Sequence, residues 1–217
     1  MLPPPVLERV RQLRLFFVEE LRTARRFLSA AGWKGHVDEL ELLELNEHST
    51  REEIEALATR LGEQDAGLIS EAGLPAVADP GALLVECAHT QGIEVVPMVG
   101  PSSLMMALMA SGLNGQNFAF TGYLPVKAPA RREAIANLER TSARTGQTQL
   151  VIETPYRNDA LLADILAVCR PDTRLCLAAD ITCPTEFIRT RPVAAWQQEV
   201  KRGFTIGKRP CVFLLLA

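Results

Sequence analysis

Residues 66–103 read AGLISEAGLPAVADPGALLVECAHTQGIEVVPMVGPSS, and this stretch predicts the fold around it. A short apolar run, Ala66–Ile69, ends in a turn cluster that contains Glu71, Gly73 and Pro75. A second turn, Asp-Pro-Gly at 79–81, then opens an amphipathic segment. The pattern predicts a strand, a loop and a helix in succession.

The same stretch predicts a second strand at residues 93–98, which ends in Gly-Pro-Ser-Ser. Ser102 and Ser103 precede another apolar segment, and hydroxyl side chains are common caps at the N-terminus of a helix. Both loops therefore follow the carboxyl ends of strands. Because open parallel sheets bind small molecules in a crevice outside that edge, we expect a polar ligand there.

Composition limits the classes of protein to which the chain could belong. The formal net charge is −3, so binding to nucleic acid would require a local basic patch. The three histidines and five cysteines show no metal-ligand spacing, and no Cys-x-x-Cys pair occurs. We expect reduced thiols, no metal site, no membrane segment and a cytoplasmic location.

Predicted strands and helices alternate along all 217 residues, which favours an α/β fold with two domains. The first half has predicted strands at 13–18 and 39–45 and a capping box at Ser49 or Thr50. The turn-rich segment at 111–117 is the predicted linker. We therefore expect an N-terminal α/β domain at 1–115 and a C-terminal α/β domain at 116–217.

Several nucleotide and acyl-transfer motifs are missing from the sequence. It contains no Gly-x-Gly-x-x-Gly and no Gly-x-Ser-x-Gly. Residues 203–208, GFTIGK, are one residue short of a phosphate loop, are followed by Arg209, and follow no predicted strand. We interpret them as a hairpin-like connection.

Six segments carry a resemblance to a known family. They are Ser-Glu-Ala-Gly-Leu-Pro at 70–75 with Ala-Asp-Pro-Gly at 78–81, Val-Gly-Pro-Ser-Ser at 99–103, Ala-Ser-Gly-Leu at 110–113, Gly-Tyr-Leu-Pro at 122–125 and Glu-Thr-Pro-Tyr-Arg at 153–157. In this order and spacing the chain resembles the tetrapyrrole methylase superfamily of S-adenosylmethionine-dependent methyltransferases over about residues 13–190. Within this superfamily it is most similar to the ribosomal RNA small-subunit methyltransferase I branch. That branch methylates a ribose 2′-hydroxyl.

The resemblance implies two α/β domains with the cofactor in a cleft between them, and a homodimer. By position it implies that the turn of Glu71, Gly73 and Pro75 contacts S-adenosylmethionine. Ser102 and Ser103 match the pair that contacts its methionine end. The second half would contribute Tyr123, Glu153, Ile181 and Thr182, with Glu153 at the adenosine. No catalytic residue is assigned, because methyl transfer mainly requires alignment of the reacting atoms.

The sequence departs from the family pattern in three places. The family's first strand and Gly-rich turn, which precede the region matching Leu13, have no counterpart here. Glu71 and Tyr156 stand where the ribosomal branch commonly has aspartate and histidine. Cys-Pro-Thr-Glu at 183–186 replaces its usual Thr-Lys and basic tail.

Three hypotheses follow from these patterns. The first is a methyltransferase that acts on the ribose 2′-hydroxyl of ribosomal RNA in the small subunit. Two basic clusters could hold the RNA backbone: Arg22, Arg25 and Arg26, and Lys127, Arg131 and Arg132. The alternatives are a methyltransferase for a tetrapyrrole or other small molecule, and a catalytically silent binding or dimerisation module of the same fold.

Overall fold

Three short parallel strands form the first sheet in a computed structural model that describes residues 2–71 and 73–217. Strand β1 (Leu15–Val18) lies in the middle, between β2 (Glu41–Glu44) and β3 (Ala66–Ile69). All four residues of β1 are buried, as expected for a parallel strand that is covered on both faces.

Four helices cover this sheet: α1 (Pro4–Gln12), α2 (Leu21–Leu28), α3 (Arg51–Ala58) and α4 (Ala82–Thr90). Alternate residues of β1 enter two separate cores. Phe16 packs in the same cluster as Leu28 of α2, whereas Phe17 packs in the same cluster as Ile54 of α3. The unit therefore has the layered arrangement that alternating strands and helices predict.

Local sequence signals account for the ends of two of these helices. Thr50 caps α3: its hydroxyl accepts from Glu53 N at 3.2 Å, and Glu53 Oε2 accepts from Thr50 N at 2.8 Å. This confirms the predicted capping box. Gly81 precedes α4 with φ of 121°, and a Cβ there would lie 2.7 Å from Leu68 Cδ2. Glycine is favoured here because other residues rarely adopt this φ, and a Cβ would also require the Leu68 side chain to move.

The predicted strand at 93–98 is wrong. These residues form no ladder with any described strand, and the apolar side chains that follow α4 are exposed, with Val96 62% and Val99 74% accessible. An apolar run becomes a strand only when a neighbouring strand satisfies its backbone. In the described part of the chain, β3 pairs only with β1, so its other edge is open.

The second unit contains a five-stranded mixed sheet in the order β4-β5-β8-β6-β7. The strands are β4 (Phe118–Tyr123), β5 (Thr148–Ile152), β6 (Arg174–Ala179), β7 (Phe187–Pro192) and β8 (Cys211–Leu216). Strand β5 is parallel to β4, and β8 is antiparallel to both β5 and β6. Strands β4, β5 and β6 therefore all run in the same direction.

Helices cover both faces of this sheet: α5 (Ser103–Ser111), α6 (Ala128–Thr145), α7 (Asn158–Val168) and α8 (Val193–Lys201). Helix α5 covers one face, with Leu104 and Leu108 in a cluster with Leu150 of β5. The other three helices share the opposite core, which includes Ile165 and Trp196.

The compact units divide between Ser102 and Ser103, rather than after residue 115 as the turn-rich segment predicts. The reason is the packing of α5. Ala107 of this helix is completely buried in the second unit's core, so α5 belongs to that unit although it precedes the predicted linker. The two α/β units themselves agree with the predicted fold class.

Candidate functional site

Polar residues gather at the carboxyl edge of the second sheet. Tyr123 ends β4, Glu153 directly follows β5, and Thr182 lies just after β6. These three strands run in one direction, so their carboxyl ends lie at one edge. The structure therefore brings together three residues that are far apart in the sequence.

Helix α5 directs its N-terminus towards the same edge. Its last residue, Ser111, accepts a hydrogen bond at 2.6 Å from Thr190 of β7, and Asn114 O accepts one at 2.9 Å from Thr148, the first residue of β5. The C-terminal end of α5 thus lies at the amino edge of β5. Ser103 begins the helix at the other end, and the next residue, Leu104, packs in one cluster with Ile181.

Glu153 has an unusual environment. Its side chain is completely buried, and Oε1 accepts from Thr154 N at 2.7 Å and from the Arg157 guanidinium at 2.9 and 2.5 Å. Its other oxygen, Oε2, is buried and has no hydrogen-bond partner among the described residues. A buried acceptor without a partner costs free energy, so this atom is suited to a ligand that donates hydrogen bonds.

The turn after β6 is held in a strained conformation. Asp180 and Thr182 have φ of 52° and 70°, in the left-handed region that side chains other than glycine disfavour. Thr182 N donates to Glu186 Oε2 at 2.7 Å, and the Thr185 hydroxyl donates to Asp180 Oδ2 at 2.9 Å. These contacts fix the turn that carries Ile181 and Thr182, and such strain is frequent at binding sites.

The first unit has its own polar edge, at the carboxyl ends of β1 and β3. Glu71 follows β3, and its backbone N–H donates to Glu19 Oε2 at 2.8 Å. Glu19 follows β1 directly, and we did not predict it from the sequence, although its position after a buried strand was a signal for it. The loop that follows contains Gly73 and Pro75 and has alanines at 76 and 78 with φ of 64° and 60°.

Asp79 closes this loop in a half-buried position. A Cβ placed on Gly73 would lie 3.9 Å from Asp79 Oδ2, so the two residues are neighbours. Burial and the nearby charge of Glu19 raise the pKa of Asp79 to about 6, while a hydrogen bond from Ser70 acts in the opposite direction. The carboxyl group therefore changes its protonation state close to neutral pH.

The predicted site residues thus fall into two groups, one at the carboxyl edge of each sheet. Glu71, Gly73 and Pro75 lie at the edge of the first sheet, and Ser102 is the last residue of that unit. The second group lies at the edge of the second sheet: Ser103, Tyr123, Glu153, Ile181 and Thr182.

One predicted RNA-binding cluster is corrected by the structure. Arg131 is buried, and its Nε donates to Asp164 Oδ2 at 2.7 Å, while Arg132 Nε donates to Asp164 Oδ1 at 2.6 Å. Arg131 therefore ties α6 to α7 and is not accessible to RNA. In the first cluster, Arg25 forms an exposed ion pair with Asp38.

Neither a metal centre nor a membrane span occurs in the described ranges. Residues 2–71 and 73–217 contain no group of three or more His, Cys, Asp or Glu side chains placed to bind a metal ion. No helix in these ranges has the length and apolar character that crossing a bilayer requires.

Curated relatives of this chain are named ribosomal RNA small subunit methyltransferase I. The protein of that name from Pseudomonas aeruginosa is 34% identical over 213 residues, which cover 98% of this chain and 72% of the relative. Those from Neisseria meningitidis serogroup B and Escherichia coli O157:H7 are 36% and 35% identical and match 76% and 73% of the chain. The chain spans only 53% and 55% of these two relatives.

Solved structures share the fold at low sequence identity. The methyltransferase CobJ has a TM-score of 0.64 at 17% identity, covering 99% of this chain and 88% of CobJ. Diphthine synthase has a TM-score of 0.67 at 15% identity, covering 99% of this chain and 84% of that protein.

The sequence profile described as Tetrapyrrole (Corrin/Porphyrin) Methylases matches residues 3–195, which is most of the chain. This match agrees with the two α/β units and with the identities of the relatives. The chain belongs to the tetrapyrrole methylase family.

Proposed function

We propose that this protein is an S-adenosylmethionine-dependent methyltransferase that acts on ribosomal RNA of the small subunit, at a ribose 2′-hydroxyl. The family membership and the names of the relatives support the reaction class and the substrate class. The structural observation that carries the proposal is the buried, unpartnered Oε2 of Glu153 at the carboxyl end of β5.

The described residues fit this cofactor chemically. Glu153 Oε2 would accept a hydrogen bond from a hydroxyl or amine of the adenosine, which satisfies an otherwise unpaired buried acceptor. The hydroxyls of Ser103 and Thr182, at the same edge, would bind polar groups of the ligand. When bound, S-adenosylmethionine supplies a methyl group on a positively charged sulfur.

The first unit would contribute polar backbone groups and negative charge to ligand binding. The turn of Glu71, Gly73 and Pro75 presents backbone groups after β3, and Ser102 ends the unit. The carboxylate of Glu19 lies beside this turn, and carboxylates favour a cationic ligand over a neutral one. These residues bind and orient the ligand, and no acid or base is assigned for the transfer. The cytoplasmic location and the homodimer stay predictions.

Transfer of a labelled methyl group tests this proposal. The purified protein is incubated with S-adenosylmethionine carrying a tritiated methyl group and with unmodified small-subunit RNA, free or assembled into subunits. A ribose 2′-O-methyl group blocks alkaline cleavage of the adjoining phosphodiester bond. We therefore expect the label in alkali-resistant dinucleotides.

A matched pair of variants makes the result specific. Glu153→Gln should transfer label at least tenfold more slowly, since a hydrogen bond to a charged group contributes about 1.5–3 kcal/mol. Glu133→Gln, at an exposed position on α6, should match the wild type. Label on a tetrapyrrole acceptor instead of RNA would overturn the substrate assignment, and label on neither would overturn the proposed activity.

A further inference from the structure

The loop at 202–210 lies at the carboxyl edge of the second sheet. It leads from α8 into β8, whose first residue, Cys211, lies opposite Ala179 at the end of β6. It is therefore not the hairpin-like connection that the GFTIGK motif predicts. Its position places the motif beside the loops that follow β5 and β6.

Two residues at the start of α7 hold this loop. The Asp159 carboxylate accepts from Ile206 N at 2.8 Å and from Gly207 N at 3.2 Å. The Asn158 amide donates to Gly207 O at 3.1 Å and to Arg209 O at 2.7 Å. Since these contacts fix the backbone on both sides of Lys208, its side chain is presented from a defined position.

Lys208 lies over an exposed aromatic ring. Its Nζ is 4.9 Å from the ring centroid of Tyr156, and the tyrosine is 80% accessible. The ammonium covers part of one ring face, so the opposite face is available for stacking. An exposed aromatic ring beside a cation is typical of surfaces that bind unpaired nucleotides.

Two arginines lie around Phe187, the first residue of β7, which pairs with Ala179 at the end of β6. The guanidinium groups of Arg189 and Arg209 lie 5.0 and 5.6 Å from the ring centroid of Phe187. Neither arginine, nor Lys208, forms an ion pair with any carboxylate in the ranges the structure describes.

The nearby acids have other partners. Asp159 binds the loop amides, Asp180 accepts from Thr185, and Glu186 accepts from Thr182 N. Glu153 pairs with Arg157. Among the described residues none of these carboxylates forms an ion pair with Lys208, Arg189 or Arg209. Arg209 Nε donates to the neutral Ile206 O at 2.7 Å. An anionic partner can therefore bind the three cations without breaking an ion pair.

We propose that Tyr156, Lys208, Arg189 and Arg209 form a surface that binds an unpaired segment of RNA. A base stacks on the free face of Tyr156, and phosphates contact Lys208 and the two arginines. This inference rests on the proposed function for its choice of RNA, and it deepens that function by naming the residues that receive the substrate. Tyr156 lies one short turn after Glu153, so the RNA binds at the same edge as the predicted cofactor residue.

Binding of a fluorescent 12-nucleotide single-stranded RNA, measured by anisotropy at several salt concentrations, tests this surface. Tyr156→Ala should weaken binding roughly five- to hundredfold, the effect of removing one base–aromatic stack, and Tyr156→Phe should retain it. Lys208→Glu should weaken binding and reduce the salt slope by about 0.7 for each phosphate that the protein no longer neutralises.

Arg144→Glu is the matched control, because it changes the charge equally in the last turn of α6, near the amino edge of the sheet. It should bind RNA nearly as the wild type does. Equal reductions in affinity for Arg144→Glu and Lys208→Glu, or unchanged binding by Tyr156→Ala, would overturn the proposal. Calorimetry with S-adenosylmethionine on the same variants separates the two claims: Tyr156→Ala should have a lower RNA affinity while its cofactor affinity is unchanged.

Discussion

Arg157 Nη2 lies 2.5 Å from Glu153 Oε1, and this contact neutralises a carboxylate whose side chain is completely buried. The arginine follows one turn later in the chain and is itself one-third exposed. All the donors to Glu153 approach the same oxygen. The geometry thus compensates the charge of Glu153, while its buried Oε2 has no hydrogen-bond donor among the described residues.

Removal of Arg157 should destabilise the second unit. Breaking a fully buried pair costs about 3–5 kcal/mol, and we expect roughly 1–3 kcal/mol for Arg157→Ala because Arg157 is partly exposed to solvent. Urea unfolding measures this decrease in stability. The double variant Arg157→Ala/Glu153→Gln should be more stable than Arg157→Ala, because the second substitution removes the unpaired buried charge. If the two substitutions change the free energy of unfolding in a strictly additive way, the pairing is contradicted.

The buried Arg131–Asp164 pair should be a larger contributor to stability. Asp164→Ala leaves Arg131 buried without its carboxylate partner, so we expect a decrease of roughly 3–5 kcal/mol in the free energy of unfolding. Asp172→Ala, in an exposed pair with Arg170, should cost no more than about 1 kcal/mol. Similar decreases for the two variants would contradict the assigned difference.

The same pair should give a defined pH dependence. Burial opposes the ionisation of Asp164, but hydrogen bonds and charge from Arg132 and Arg131 outweigh it and hold the pKa of Asp164 below its ordinary value. Its contribution to stability is therefore fully present above the ordinary aspartate pKa and is lost as the pH falls through the lower, folded-state pKa. Unfolding curves of wild type and Asp164→Asn between pH 2 and 7 should converge at the acid end.

Asp79 should have the opposite pH dependence. Its pKa is raised to about 6 in the folded chain, so its carboxyl group favours folding when protonated and this contribution is lost as the pH rises through 6. Asp79→Asn should therefore gain stability relative to wild type at pH 8 and show no gain at pH 4. A constant difference between these pH values would contradict the raised pKa.

The open edge of β3 and the exposed apolar segment after α4 should promote self-association. Long exposed apolar segments and unpaired strand edges are common sites of aggregation. Val96→Lys should lower the aggregated fraction measured by light scattering, without lowering the unfolding midpoint, because Val96 is mostly exposed. Thr90→Lys, at an exposed position at the end of α4, is the control that adds the same charge elsewhere.

Local patterns predicted much of the fold. The run at 66–69, the capping box at Thr50 and the Asp-Pro-Gly turn before α4 each specify structure through contacts within a few residues. The segment at 93–98 has the composition of a strand, but a strand also requires a partner, which its own sequence cannot show. The observed boundary between the two units differs from the predicted one for a similar reason. Helix α5 is apolar, and its packing against the second sheet, which its own sequence does not show, assigns it to the second unit.

The candidate site was only partly predictable. The turn after the predicted strand at 66–69 indicated Glu71, and the family resemblance indicated Glu153. Ser103 was indicated as a residue at a helix N-terminus, although the strand predicted before it does not form. The contact from Glu71 N to Glu19 joins residues 52 positions apart. The role of Asp164 in burying Arg131 likewise depends on a contact between positions 33 residues apart. Spacing in the sequence cannot show such pairs, so the sequence alone indicates a surface cation at Arg131.

Calorimetric titration of S-adenosylmethionine into the protein tests the central claim most directly. We predict that the wild type and Glu133→Gln bind with equal affinity. Glu153→Gln should bind roughly ten- to hundredfold more weakly, as expected for removal of a hydrogen bond to a charged acceptor. Equal affinity of all three proteins, or no binding by the wild type, would contradict the assignment of the buried Glu153 carboxylate to the cofactor.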